Sequence, residues 1–235
     1  MTDSIDTTTG KPIGCPTLTV LVCAKNEADN LPYVLPQIPH WVDEIILVDG
    51  RSGDQTIEVA KKLCPKIRIL HQNDSGKGNA INYGIRESSG EIIVTLDCDG
   101  STDPSEIKNF IDPLLNGYDF AKGSRFLHTK PVMHPLRRFG NRVFPLFTNI
   151  LYGSNYTDLC AGFNAFWKRI IPQLDPTGTS FMDEPTLNIR LRKTKLKTIE
   201  ITQHDKGRIN GKGNEHFLIQ GWRILGIIIK ERFND

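Results

Sequence analysis

Short apolar runs alternate with polar loops and amphipathic segments through the first half of the chain. The runs are rich in Val, Ile and Leu at consecutive positions, which is typical of strands buried on both faces of a parallel sheet. They predict strands over residues 18–24, 44–49, 67–70 and 91–96. The segments between them predict helices over 31–38 and 55–63, from the loop at 73–80 through 88, and from 103 to about 116. This alternation predicts an α/β fold with a mostly parallel central sheet flanked by helices.

The pattern changes after residue 125. A loop with two prolines and two histidines is expected over 126–135, followed by an amphipathic helix with a basic start. That helix is predicted over 137–152. Strands are predicted over 159–167 and 198–202, and a helix over 183–193. A Gly-containing loop over 204–214 and a closing amphipathic helix over 217–233 follow. No linker and no internal repeat divides the chain. We therefore expect a flexible tail over 1–16 and a single domain over 17–235.

Composition narrows the possible classes of function. The 235 residues are 38% hydrophobic and 24% charged, which suits a globular protein with a full core. A net charge of +2 gives no general attraction to nucleic acid. The five cysteines are scattered without a CxxC pair, which favours reduced thiols over a disulfide framework. Because the chain has no apolar signal core and no run long enough to span a membrane, a cytoplasmic protein is expected.

Two carboxylates follow the fourth predicted strand. Asp97 and Asp99 are two positions apart, so an extended backbone points both to the same side. In open α/β sheets, ligands bind at the carboxyl ends of the strands. Paired carboxylates in such a crevice suit a hard divalent cation, either Mg²⁺ or Mn²⁺. The alternative is a turn in which Asp and Gly do no more than cap the next helix.

Polar side chains also follow the first two strands, namely Asn26 and Glu27 after the first and Asp49 at the end of the second. Their amide and carboxylate groups suit the base and ribose of a nucleotide. The Gly-Lys-Gly loop at 76–78 lacks the spacing of a Walker motif. It still brings Lys77 and backbone amides to a helix N-terminus, which favours phosphate, although a simple helix-start turn is the alternative. Together these strand ends predict a site for a nucleotide diphosphate.

The motifs resemble those of a known family. In the first half they are, in order, Ala24-Lys25-Asn26-Glu27, Val48-Asp49-Gly50, Gly76-Lys77-Gly78 and Asp97-Cys98-Asp99. In the second half they are Gly123-Ser124-Arg125-Phe126, Arg137-Arg138-Phe139-Gly140-Asn141, the run at 157–166, and Arg208 with Gly211. The first set resembles the family 2 glycosyltransferases of GT-A fold, and the second is similar to the dolichol-phosphate mannose synthase branch. The resemblance implies a Rossmann-like GT-A fold in which 17–125 binds a nucleotide sugar and 126–235 binds the acceptor.

The resemblance also implies a role for each matching position. The positions assigned to the nucleotide sugar are Ala24, Asn26, Glu27, Asp49, Asp74, Lys77, Asp97 and Cys98. Those assigned to the metal are Asp97, Asp99 and Ser101, and those assigned to the acceptor phosphate are Arg125, Arg138 and Asn141. The implied catalytic positions are Asp99, Arg208, Glu184 and its neighbour Asp183. Four positions depart from the branch. Ser101 replaces a frequent Gln and Asn141 a usual Ser, and Lys212 and Asn214 stand where a Ser and a Lys usually follow Arg208.

The implied activity is an inverting, metal-dependent transfer of a sugar from a GDP- or UDP-linked donor to a polyprenyl or dolichyl phosphate. Such an acceptor is already ionised, whereas a soluble or glycan hydroxyl would need Asp183 or Glu184 as a base. That hydroxyl acceptor is one alternative, and a sugar-phosphate nucleotidyltransferase and a silent nucleotide-sugar binder are two others. The closing helix at 217–233 is expected to pack on the sheet or on a second subunit, with peripheral membrane contact as the alternative.

Overall fold

The chain folds around one seven-stranded sheet. This computed structural model describes Lys11 and residues 14–176, 182–211 and 217–233. The strands are β1 Leu18–Ala24, β2 Glu44–Asp49, β3 Arg68–His71, β4 Ile92–Asp97, β5 Phe120–Ser124, β6 Asn164–Trp167 and β7 Thr198–Thr202. The α-helices of the described residues are α1 Thr56–Leu63, α2 Lys77–Glu87, α3 Ile107–Leu115, α4 Pro135–Tyr152, α5 Glu184–Lys193 and α6 Phe217–Phe233.

The strand order is β3-β2-β1-β4-β6-β5-β7, and every pairing except those of β6 is parallel. β6 runs antiparallel to both β4 and β5. The predicted α/β fold with a mostly parallel sheet is therefore confirmed. Because β6 is reversed, the chain enters it from the edge where β1, β2, β4 and β5 end. The segment just before β6 therefore lies beside the predicted site.

Apolar side chains cover both faces of the sheet. On one face, Val20 and Val94 pack in a cluster with Phe110 of α3. On the other, Leu21 packs in a cluster that includes Leu187 of α5. Neighbouring residues of a strand point to opposite faces, so a strand covered on both sides needs apolar residues at every position. This explains the uninterrupted apolar runs of β1, β2 and β4.

One predicted element is wrong and another is shorter than predicted. Instead of a helix over 31–38, the chain forms two 3₁₀ turns, Leu31–Tyr33 and Leu35–Gln37. Each turn has a proline, which lacks the N–H that an α-helical ladder needs. The strand predicted over 159–167 begins only at Asn164. Before it, side chains bind backbone groups that a ladder would use; for example, Asp158 accepts a hydrogen bond from Cys160 N, 2.9 Å.

The other bounds agree with the prediction within a few residues. α4 begins two residues earlier than expected, at Pro135, because the fixed φ of proline suits the first helical position. The segment from 103 starts with a 3₁₀ turn, Pro104–Glu106, and continues as α3. Most of the predicted tail at 1–16, and Lys212 and Asn214, lie outside the described residues. The division at 17 stays a prediction. No helix among the described residues is both long and apolar enough to cross a membrane.

Candidate active site

The carboxyl ends of β1, β2 and β4 form the floor of the candidate site. Ala24 pairs with Asp49 across β1 and β2, and Cys23 pairs with Asp97 across β1 and β4. This register places the two aspartates on either side of β1, at the edge where ligands bind in such sheets. Cys98 lies buried beneath them and donates its thiol to the carbonyl of Cys23, 2.8 Å. Burial raises the pKa of Cys98 well above its usual value, so it is a neutral thiol.

The loop after β1 is tied to the loop after β2. Asn26 has a φ of +56°, which few residues other than glycine adopt. Its Oδ1 accepts a hydrogen bond from Gly53 N, 2.8 Å, and its backbone N donates to Ser52 Oγ, 2.9 Å. The backbone N of Glu27 donates to Thr56 Oγ1, 2.9 Å. These contacts fix the positions of Asn26 and Glu27, two of the residues that the sequence assigned to the nucleotide sugar.

Lys77 lies between two carboxylates. Its Nζ is 2.6 Å from Asp97 Oδ1 and 2.6 Å from Glu184 Oε1. Burial acts to raise the pKa of Asp97, but the charge of Lys77 lowers it below its usual value. Burial likewise opposes the charge on Lys77, yet the two carboxylates raise its pKa well above the usual value. The lysine is therefore charged and joins the end of β4 to the starts of α2 and α5.

A glycine permits this close approach. A Cβ on Gly162, in the segment before β6, would lie 2.5 Å from Asp97 Oδ2 and 2.6 Å from Lys77 Nζ. Both distances are shorter than any normal van der Waals contact. The segment before β6 therefore passes directly over the Lys77–Asp97 pair, and any side chain at 162 would displace the ends of these two side chains.

Asp183 lies beside the same bridge. It forms an ion pair with Arg223 of α6 and accepts a hydrogen bond from the backbone N of Gly78 in α2. Burial raises the pKa of Asp183, although the charge of Arg223 acts against that shift. The pair of acids at 183–184 thus connects three helices, α2, α5 and α6, to the floor of the site.

Arg208 reaches the floor from the loop after β7. Its NH2 is 2.8 Å from Glu27 Oε2, and its NH1 is 3.8 Å from Asp99 Oδ2. The other oxygen of Asp99 accepts hydrogen bonds from the backbone N and the hydroxyl of Ser101, at 3.0 and 2.6 Å. Asp99 therefore has one oxygen held by the turn after β4 and one directed toward the guanidinium.

Backbone contacts hold this loop over the turn after β4. Ile209 N donates to the carbonyl of Asp99, and Lys206 N to that of Ser101, each at 3.0 Å. The backbone N of Asn210 donates to Asn30 Oδ1, 2.9 Å. The side chain of His204 pairs with Glu106. The loop is thus fastened on both sides of Arg208.

The oxygen ligands at this edge fit a divalent cation. Asp97, Asp99 and Ser101 offer the hard donors that Mg²⁺ and Mn²⁺ prefer. Across the described ranges, no group of three or more His, Cys, Asp and Glu side chains forms a metal cage. Mg²⁺ is usually held by one or two carboxylates together with substrate phosphates and water, so Asp97 and Asp99 would supply enough carboxylates for such a site. The cations of Lys77 and Arg208 beside these aspartates show that the edge accommodates positive charge.

Arg125 is held by a buried carboxylate. Its Nε lies 2.7 Å from Asp158 Oδ2 and its NH2 lies 3.0 Å from Asp158 Oδ1. Asp158 is fully buried. Burial acts to raise its pKa, but the charge of Arg125 lowers the pKa to about 2. Two of the three guanidinium nitrogens are used in this pair, which leaves NH1 for a ligand.

Arg138 and Asn141 lie in the first turns of α4. Arg138 NH2 donates to the carbonyl of Pro131, 2.7 Å. Its Nε is buried and has no hydrogen-bond partner among the described residues. Asn141 is also buried, and its Nδ2 lies 3.6 Å from Met133 Sδ. A buried N–H without a partner is costly, and a bound oxyanion would satisfy it.

Asp74 is placed apart from these groups. It lies in the loop between β3 and α2, where it borders a cleft of about 430 Å³. The cleft runs along the outer side of α2, past Tyr83, to Ile171 and Pro176. The residues that the structure brings together are therefore those at the strand ends, Lys77, the acids at 183–184 and Arg208.

Comparison with known proteins identifies the family. Residues 19–174 match the sequence profile of glycosyl transferase family 2. The chain belongs to this family. Glycosyltransferase AglJ of Haloferax volcanii is 28% identical over 185 residues, which cover 76% of this chain and 59% of AglJ. The dolichyl-phosphate hexose transferase of the same organism is 29% identical over 163 residues, which cover 68% of this chain and 70% of that protein. The chain thus spans less than two thirds of AglJ.

A solved structure shows the fold of this family 2 domain. Glucosyl-3-phosphoglycerate synthase of Mycobacterium tuberculosis, in complex with Mn²⁺, UDP-glucose and phosphoglyceric acid, superposes with a TM-score of 0.75. It is 18% identical, and the match covers 92% of this chain and 80% of that one. The likeness confirms the predicted GT-A fold.

Several residues of this family 2 site were not singled out by sequence analysis. They are Asn30 and Asn210, which fasten the loop, Asp158 and Gly162 before β6, and Arg223 on α6. Asp158 and Gly162 lie within the motif at 157–166 that carried the resemblance, so the motif signalled their region but not their contacts. Arg223 gave no signal, because its partner Asp183 is forty positions away.

Proposed function

We propose that the protein is an inverting, divalent-metal-dependent glycosyltransferase that moves a sugar from a nucleotide diphosphate to a polyprenyl phosphate. The convergence of Asp97 and Asp99 with the cations of Lys77 and Arg208 at one sheet edge carries this proposal. A site for a metal-bound diphosphate needs both kinds of charge. The carboxylates bind the metal, and the cations contact the oxygens of the diphosphate. The name of the dolichyl-phosphate hexose transferase relative supports a lipid phosphate as acceptor.

The nucleoside would bind over β1 and β2. Asp49 is buried, and Ser52 N donates to its Oδ1, 3.2 Å, so its carboxylate is fixed at the strand end. With Ala24, Asn26 and Glu27 it offers acceptors for the N–H and hydroxyl donors of base and ribose. The M. tuberculosis neighbour, which shares the fold, was solved with UDP-glucose, and this is consistent with a nucleotide sugar as donor. GDP- and UDP-linked sugars are both candidate donors.

The reaction builds negative charge on the departing diphosphate. Asp99, with Asp97 and Ser101, would hold Mg²⁺ or Mn²⁺, which supplies Lewis-acid stabilisation of that charge when bound. Lys77 and Arg208 direct N–H donors toward the same place from α2 and from the loop after β7. This arrangement lowers the barrier because the donors are in position before the charge develops.

The acceptor would be held by the arginines of the second half. Arg125 offers NH1, and Arg138 offers its buried Nε, to a phosphate oxyanion. An ionised phosphate attacks without a general base, so its orientation against the anomeric carbon is the main task of the protein. Attack from the side opposite the diphosphate inverts the configuration. A lipid acceptor would also bring the protein to the cytoplasmic face of a membrane.

One observation favours a second candidate. The raised pKa of Asp183 suits a general base, so the same fold could deprotonate a hydroxyl acceptor. The ion pair with Arg223 argues against it, because a base must be free to take a proton.

Transfer of label tests the proposal. The protein is incubated with labelled GDP- and UDP-sugars, polyprenyl phosphate and Mn²⁺ or Mg²⁺, and the products are extracted into organic solvent. We expect label in the lipid phase, lost with EDTA and lost in Asp99→Asn. Label confined to a water-soluble glycan would establish the second candidate instead. Release of pyrophosphate from a nucleoside triphosphate and a sugar phosphate would show a nucleotidyltransferase and contradict both.

A further inference from the structure

Large apolar side chains are exposed on two neighbouring helices. The described part of the chain has fourteen exposed large hydrophobic residues, of which six lie on α4 and four on α6. The most exposed are Phe139 and Ile150 on α4, at 67% and 71%, and Ile219, Trp222 and Phe233 on α6, at 67%, 75% and 80%. Single exposed apolar residues are ordinary, but this concentration marks a surface for interaction.

The two helices present these residues side by side. Their inner faces share a core cluster that contains Phe144 of α4 and Ile228 of α6. The hydroxyl of Tyr152 donates to the carbonyl of Ile228, 2.6 Å, which fixes the two axes against each other. On α6 the exposed Ile219, Trp222 and Ile229 recur at helical spacing on the opposite face. The outer faces therefore form one surface, which we call the α4–α6 surface.

The charges around this surface are almost all positive. α4 contains no Asp or Glu and carries Arg137, Arg138 and Arg142. α6 carries Lys230 and Arg232, together with Arg223, whose charge is balanced by Asp183. Its single acid, Glu231, is buried against Arg190. Two such surfaces facing each other in a dimer would repel. An apolar face bordered by cations instead matches the acyl boundary and the anionic headgroups of a lipid bilayer.

We propose that the α4–α6 surface docks the protein on an anionic lipid bilayer, with Phe139, Ile219 and Trp222 inserted at the headgroup boundary. The sequence alone favoured packing of the last helix on the sheet or on a second subunit. The structure shows that the inner face of α6 packs against the protein, and that its outer face forms one exposed surface with the outer face of α4. Docking in this way brings the start of α4, with Arg138, to the level of the lipid phosphates. The proposal concerns lipid binding and holds whether or not a sugar is transferred.

Vesicle binding tests this surface without any donor. The full chain is sedimented with phosphatidylcholine vesicles that contain or lack phosphatidylglycerol. We expect binding to the anionic vesicles that weakens as salt is raised, and little binding to the neutral ones. The double variant Phe139→Ser/Trp222→Ser should have a partition coefficient onto vesicles at least about ten-fold lower, because it loses two large inserted side chains. Leu115→Ser, at an exposed apolar residue of α3, is the matched control and should bind like the parent.

Tryptophan fluorescence gives a second readout that needs no destabilising variant. Addition of anionic vesicles should shift the emission of the parent to shorter wavelength and leave Trp222→Phe unshifted, since Trp222 would leave water. Asp99→Asn should bind vesicles like the parent, which separates this proposal from the catalytic one. Equal vesicle binding by the parent and the Phe139→Ser/Trp222→Ser variant would overturn it. The proposal would also be overturned if the parent did not bind vesicles and light scattering showed a dimer in solution that the double variant disrupts.

Discussion

The ammonium group of Lys77 lies 2.6 Å from the carboxylate of Asp97, and this contact joins the start of α2 to the end of β4. Glu184 lies at 2.6 Å on the other side of the same ammonium group. Without Lys77, two carboxylates would face each other in a partly buried space. The lysine therefore balances the charge of both acids and holds them in position where the diphosphate of a donor would arrive.

Replacement of Lys77 tests that role. Lys77→Met removes the cation and leaves the charges of Asp97 and Glu184 uncompensated. We expect kcat to fall about a hundred-fold, the usual effect of losing one donor to developing charge. Lys77→Arg should recover part of the activity because it restores the charge. Lys61→Met, at an exposed position of α1, is the control and should match the parent. Sugar-transfer kinetics that do not distinguish Lys77→Met from this control would contradict the assignment.

The absence of a side chain at 162 is a second requirement. Gly162→Ala would place a methyl group 2.5 Å from Asp97 Oδ2, so the Lys77–Asp97 pair must separate. We expect strongly reduced transfer and weaker nucleotide binding, measured by the rise in unfolding temperature with UDP or GDP and Mn²⁺. Gly226→Ala is the matched control, since a Cβ there meets nothing within 4 Å. It should keep full activity and gain up to about 1 kcal/mol of stability, because alanine favours the helix.

The loop after β7 offers a comparison between two neighbouring cations. Arg208→Ala removes the group that contacts Glu27 and faces Asp99. We expect kcat to decrease about a hundred-fold, with a smaller change in donor KM. Lys206→Ala removes only a side chain that pairs with Asp103 and is half exposed, a contact that contributes at most about 1 kcal/mol. Its kcat should stay within about two-fold of the parent. A similar loss in both variants would indicate that the loop acts only through its conformation.

The buried pair of Arg125 and Asp158 predicts a pH-dependent stability. The pKa of Asp158 is about 2 in the folded protein, below the value near 3.9 of an unfolded chain. The pair therefore stabilises the fold fully above about pH 5, and its contribution of about 2–3 kcal/mol is lost progressively as the pH falls from there to about 2 and below. Asp158→Asn leaves Arg125 buried without its counter-charge, which should cost about 3–5 kcal/mol at neutral pH. Urea unfolding at several pH values should show a steeper acid loss in the parent than in the variant.

The fold was largely predictable because its strands are buried on both faces. β1 and β2 have the predicted bounds, since a continuous apolar run between polar loops shows where a buried strand begins and ends. The segment at 31–38 was mistaken for a helix because its apolar spacing is helical, while Pro32 and Pro36 prevent the hydrogen bonds. The segment before β6 was mistaken for a strand because side chains bind its backbone. Asp158 accepts from the nearby Cys160 N, while the distant Thr95 and Asn188 donate to the carbonyls of 162 and 159.

The site was predictable only as far as strand ends determine it. Asp49, Asp97 and Asp99 follow strands, so the sheet alone brings them to one edge. The ion pairs of the site could not be inferred, because they join elements whose distance depends on packing. Lys77 and Glu184 are separated by more than a hundred positions. The assigned roles of Arg125 and Arg138 in acceptor binding stay predictions.

The reversed strand β6 has a consequence for how this protein can evolve. The chain leaves the sheet at the end of β5 and returns to it at the start of β6, and both points lie at the same edge. The connection between β5 and β6, which includes α4, leaves and re-enters the sheet at one edge, so its length does not alter the register of any strand. Insertions or replacements within α4 and the loop before it, 126–152, can therefore change what approaches the site from the second half, while the proposed donor side on β1, β2 and β4 keeps its contacts. Acceptor choice can diversify among descendants of this fold without a new sheet.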